Sequence, residues 1–199
     1  MNLPYALILF RLLLAPIVVI LAGVLKEQSA YIILVLMYLG LFSDIFDGII
    51  ARKQQISTEK MRRIDSQVDL IFWLCIAWSC YLIYPELIEE NKIGVILVLA
   101  MEGLCYLISF IKFGRETCTH AFLSKMRGLT LLATFTALLG FAHNGWIFHT
   151  CIVLGLASQL DVILIILILP NWAHDIPSFY HAILMRKGIE FKKSKYLNS

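Results

Sequence analysis

The stretch Ser43–Leu70, SDIFDGIIARKQQISTEKMRRIDSQVDL, decides how this chain is read. Asp44 and Asp47 stand three apart near the end of one apolar run, and Asp65 and Asp69 stand four apart at the start of the next. On helices, residues at these spacings share a face. The twelve residues Lys53–Ile64 are enough to turn the chain back. Two antiparallel helices are therefore expected to point four carboxylates at one another. Ionised carboxylates so close raise each other's pKa and need a compensating cation. A set of hard oxygen ligands suits Mg²⁺ or Mn²⁺ rather than zinc, and such ions commonly bridge phosphates and neutralise a transferring group. Any one of these Asp residues could instead be solvated or paired with Arg52, Arg62 or Arg63. Four of them in this spacing favour the metal.

Outward from this stretch, the composition is that of a membrane protein. Of 199 residues 60% are hydrophobic and 16% charged, and mean hydropathy is +0.81. Soluble domains run nearer ~45–50% apolar and ~25% charged. Apolar runs occur at about 3–25, 30–51, 66–85, 93–112, 126–142 and 146–169, each near the ~20 residues that cross a bilayer core. The expected fold is all-α and polytopic, with about six transmembrane helices over 1–170 forming one catalytic domain. Met1–Leu25 lacks a basic leader and a small-residue cleavage site, and it carries Arg11, so it is read as a span. The five cysteines show no CxxC pair and no zinc-finger spacing to a His, which suits thiols used as small hydrophobes.

Charge sets the orientation. Fourteen of the seventeen Lys and Arg fall in the 52–63 loop, the 112–127 connection and the C-terminal tail. The loop after the third run carries Glu86, Glu89 and Glu90 instead. The positive-inside rule then puts both termini and the four-Asp site on the cytoplasmic side. Residues 171–199, with Trp172, Phe179 and Tyr180 followed by basic residues, read as an interfacial tail near anionic lipid. The net charge of +3 gives no reason to expect a nucleic-acid partner.

The Asp-rich stretch resembles the signature of CDP-alcohol phosphotransferases, the CDP-alcohol phosphatidyltransferase family. That signature has two Asp three apart, Gly, Ala-Arg, an eight-residue gap, Gly, and two Asp four apart. Asp44, Asp47, Gly48, Ala51, Arg52, Asp65 and Asp69 match it at the right spacing, and Met61 stands where the family has its second Gly. The opening NLPYALILFRLLLAP is similar to the family's start. The resemblance implies that Asp44, Asp47 and Asp65 are metal ligands for two Mg²⁺ or Mn²⁺ ions. Asp69 would be the general base, sharing in metal binding. Gly48, Ala51 and Arg52 would line the place of the CDP moiety, where a Met at 61 narrows the space a Gly leaves open. It further implies a CDP-linked lipid donor such as CDP-diacylglycerol, an alcohol or phosphorylated-alcohol acceptor, release of CMP, and a homodimer.

Three more charges, Arg11, Glu102 and Asp161, fall inside other runs. Charges in spans usually face a cavity or a partner. At ~1.5 Å per residue Arg11 lies ~10 Å deep and Asp44 ~13 Å, so a shared polar cavity is expected. Lys112, Arg115, His120, Lys125 and Arg127 could hold an acceptor phosphate, or could simply fix topology. Competing functions are an intramembrane prenyltransferase, which needs a second Asp-rich motif that the chain lacks, and a catalytically silent relative or cation-binding or transport protein.

Overall fold

The computed structural model describes residues 3–54, 58–115, 122–173 and 176–189, apart from the side chains of Arg52, Glu59, Lys60 and Arg62. Among them there are helices and no strand. The long helices are α1 (Leu3–Leu25), α2 (Ala30–Lys53), α3 (Glu59–Ile83), α5 (Lys92–Phe113), α6 (Phe122–Phe141) and α7 (Trp146–Ile168), with short helices α4 (Pro85–Glu89) and α8 (Phe179–Arg186). Five segments are long and apolar enough to cross a membrane. The first of them, Leu3–Ala51, is 49 residues long and contains both α1 and α2.

Two compact units emerge. The first comprises Met1–Glu89 with Phe135–His143, the second Glu90–Thr134 with Asn144–Ser199. In the first unit α1 turns into α2 through a 3-10 turn, Lys26–Ser29, where Lys26 takes a left-handed φ of 52° and the Ser29 hydroxyl donates to the Lys26 carbonyl at 2.6 Å. The buried face of α1 is the row Ile8, Arg11, Ala15, Val18 and Ala22, at the helical i, i+3, i+7 repeat. Helix α3 begins at Thr58, whose side chain accepts from the Met61 N–H at 3.2 Å and caps the free helix end.

Helices α2 and α3 touch where Gly40 meets Phe72. A Cβ added at Gly40 would lie 2.4 Å from the Phe72 ring, so only glycine permits this approach. Gly40, Asp44 and Asp47 form one i, i+4, i+7 stripe of α2, and Asp65, Asp69 and Phe72 form the matching stripe of α3. The close crossing thus sets the two Asp pairs opposite each other. The end of α6 belongs to this unit through a Trp73–Phe135 stack at 6.0 Å, a hydrogen bond between the Tyr38 and Thr136 hydroxyls and one from Tyr31 to the Gly140 carbonyl.

In the second unit α5 and α7 approach through small residues. A Cβ at Gly94 would meet Ile152 at 2.8 Å, and Gly155 faces Val98, the small-residue packing expected where lipid leaves no hydrophobic drive between helices. Part of the expected tail is built into this unit. Ile176 and Ala182 are buried against Ile165 and Leu169, and the Asp161 carboxylate accepts from the Phe179 N–H at 2.9 Å, at the start of α8.

Candidate active site

Arg11 is the hub of the first unit. Its side chain is 0% exposed, yet it sits on a helix otherwise made of apolar residues. A buried guanidinium needs partners, and Arg11 has four. One terminal nitrogen, Nη1, pairs with Asp44 and with Asp69 at 3.3 Å. The other, Nη2, pairs with Asp65 and with Asp47 at 3.5 Å. Each nitrogen therefore bridges one Asp of α2 and one of α3.

The four carboxylates expected to converge do so. Asp44, Asp47 and Asp65 each offer an oxygen, and these oxygens lie within 4.8 Å of one another. Asp69 belongs to the Arg11 cluster but stands outside that trio. Asp47 is the buried floor, with its side chain 1% exposed, whereas Asp44, Asp65 and Asp69 are about a third exposed, at 30%, 33% and 35%. The donor set consists of hard carboxylate oxygens at a spacing one divalent ion can draw together, so it fits Mg²⁺ or Mn²⁺.

Of the other signature residues, Gly48 faces open space, because an added Cβ would meet nothing within 4 Å. Ala51 is buried in a cluster with Ile8, Met61 and Val68. The Arg52 side chain lies outside the described residues. Met61 corrects a sequence expectation. Its side chain does not stand over the carboxylates as a bulky substitute for Gly. It is 4% exposed and packs among Ile8, Ala51 and Val68, with Tyr5 and Ile64 alongside. A flexible thioether fills such a gap readily.

Met61→Gly should accordingly destabilise the protein instead of easing donor binding. Truncating a buried Met costs ~2–5 kcal/mol, and a helical Gly adds ~1 kcal/mol. Thermal unfolding in detergent should show a clear loss for Met61→Gly and little change for Met61→Leu, which keeps the volume. Equal stability of Met61→Gly and parent would mean the side chain is not core.

Of the remaining intramembrane charges, Glu102 is matched within the second unit, whereas Asp161 accepts the Phe179 N–H at one oxygen and its other oxygen is buried without a hydrogen-bond partner. Glu102 pairs with Arg127 at 2.6 Å and accepts from Gln159 at 2.9 Å. Lys112 donates to the carbonyls of Ile166 and Leu167 at 2.9 and 2.8 Å, closing the end of α7. Arg115 lies 5.5 Å from the Trp172 ring centroid, a cation–π contact. Lys112 and Arg127 are thus engaged by the helices, and His120 lies outside the described residues. The shared polar cavity expected for Arg11 and Asp44 did not disclose that Arg11 pairs with all four Asp residues. The depth of Arg11 matched that of Asp44, which was the available signal.

Comparison with known proteins points to one family. The family model for CDP-alcohol phosphatidyltransferases matches residues 1–157, a span that holds Arg11 and all four Asp residues. No curated protein and no solved structure matches the chain. Five apolar segments and this match together mark an integral membrane protein. The chain belongs to the CDP-alcohol phosphatidyltransferase family, whose activity is the transfer of phosphatidyl-type groups from a CDP-alcohol.

Proposed function

We propose that this protein transfers a phosphatidyl group from CDP-diacylglycerol to an alcohol, releasing CMP, as a step of phospholipid biosynthesis. The observation that carries the reading is the convergence of Asp44, Asp47, Asp65 and Asp69 from two helices onto one point. A lipid donor also accounts for building a phosphoryl-transfer site among apolar helices.

Asp44, Asp47 and Asp65 would hold Mg²⁺ or Mn²⁺, with two ions the expected number and Asp69 adjoining them. A metal held by these residues would supply charge neutralisation of the diphosphate, which favours departure of CMP. Asp69 takes the proton of the acceptor hydroxyl, leaving an alkoxide-like oxygen to attack the phosphorus. Its exposure exceeds that of Asp47, which suits a group that must meet an incoming alcohol. Gly48 lies on the open side, where the donor's phosphates can approach backbone, and Ala51 and Arg52 flank it on α2. Purified protein, CDP-diacylglycerol, Mg²⁺ and a panel of alcohols and phosphorylated alcohols test the assignment. A new phosphodiester lipid should form in step with CMP for at least one acceptor. CMP formation with none of them would overturn it.

The topology that goes with this reading has six spans, both termini and the site on the cytoplasmic side, and a homodimeric assembly. The 49-residue first segment then crosses twice, since at ~1.5 Å per residue it is ~73 Å long. Single cysteines at Lys60 and Glu89, in a background with the five native cysteines replaced, should label from opposite faces, Lys60 from the cytoplasm. Labelling of both from one face would mean α3 does not span.

A further inference from the structure

We propose that the Arg11 guanidinium is a resident counter-ion that a divalent cation must displace, so that Arg11 sets the metal affinity of the carboxylate site. The inference rests on the metal-dependent reading above and concerns what this chain adds to it.

Three observations carry it. First, Arg11 and the metal would use the same groups. The guanidinium touches Asp44, Asp47 and Asp65, the three residues whose oxygens lie within 4.8 Å of one another. A Mg²⁺ ion binds oxygens at ~2.0–2.1 Å, which would draw three ligands to within ~4.2 Å of each other. An N–H already donated to those oxygens competes for their lone pairs, and a dication repels a guanidinium a few ångströms away.

Second, carboxylates are the only partners that hold the guanidinium among the described residues. The Nε of Arg11 is buried and makes no hydrogen bond. A pocket shaped to keep an arginine permanently would satisfy that donor as well, because all the N–H groups of the fork need acceptors. Once a metal takes the oxygens, little remains to retain the side chain in place.

Third, the arrangement solves a folding difficulty. Before any ion arrives, four facing carboxylates would repel one another. Arg11 bridges α2 to α3 twice, through Asp44 with Asp69 and through Asp47 with Asp65. A charge carried on α1 thus holds the metal-free site together, and the same charge weakens metal binding.

The test is Mn²⁺ binding to the detergent-solubilised full chain, read from the electron paramagnetic resonance of free Mn²⁺, with thermal unfolding measured with and without the ion. Arg11→Gln should lower the metal-free Tm, yet bind Mn²⁺ about tenfold or more tightly, since a neighbouring positive charge has been removed. Should that variant fail to fold, Arg11→Gln/Asp69→Asn removes one charge of each sign and is compared with Asp69→Asn alone. It too should bind the ion more tightly than its reference. Unchanged or weaker Mn²⁺ affinity in the Arg11→Gln comparisons would overturn the counter-ion proposal while leaving the metal site standing. No Mn²⁺ binding by the parent or by any variant would remove the metal reading itself, and this inference with it.

Discussion

Asp69→Asn should lower CMP release by roughly 10²–10⁴-fold, the usual contribution of a positioned general base. The same variant should still bind metal, about tenfold more weakly for the loss of one neighbouring negative charge. The reasons are geometric. Asp69 reaches Arg11 at 3.3 Å and shares the cluster, but it lies outside the trio whose oxygens fit a single ion. It is also accessible to an incoming alcohol, with 35% of its side chain exposed. Asn keeps the size and loses the proton acceptor. Turnover near the parent's level would take Asp69 out of the mechanism, and lost Mn²⁺ binding would make it a ligand first.

Asp47→Asn should fail differently. Asp47 is the most buried of the four and sits in the trio. Its loss should weaken metal binding about a hundredfold or more, because even outer partners of metal ligands are worth 10–100-fold. Turnover should fall in parallel and should recover partly at high Mg²⁺, which Asp69→Asn should not do. Unaltered Mg²⁺ dependence in Asp47→Asn would mean that the ion is held elsewhere.

Much of this architecture was legible in the residues because membrane helices obey few rules. Apolar runs of ~20 residues mark the helices, and α3, α5, α6 and α7 lie close to where those runs fall. The i, i+3 and i, i+4 Asp pairs fix which faces meet. Gly40 was legible in principle, two turns before Asp47 on the Asp stripe of α2, but a glycine's partner is set by tertiary crossing. Nothing local names Phe72 as the residue that fills the gap.

What the residues left open shares one cause, that sequence gives spacing but not direction. Met61 occupies a motif position, yet its side chain turns into the core of α1 and α3. Arg11 was visible as a charge in a span, but its reach across two helices to four carboxylates depends on how α1 packs. Lys112 and Arg127 look like free cations for a phosphate, whereas α7 and Glu102 take them up. Helix α8, anchored through Asp161, sits in a segment whose composition suggested only an interfacial tail.

The central claim is that four aspartates on α2 and α3 form a metal-dependent centre that cleaves a CDP-linked lipid. Its most direct test is CMP release by the purified parent protein from CDP-diacylglycerol, with a reacting alcohol, as Mg²⁺ is titrated into chelator-treated enzyme. No release is expected in chelator, followed by a saturable rise with Mg²⁺ that Asp47→Asn shifts to higher concentration. Equal CMP release with and without chelator would contradict the claim.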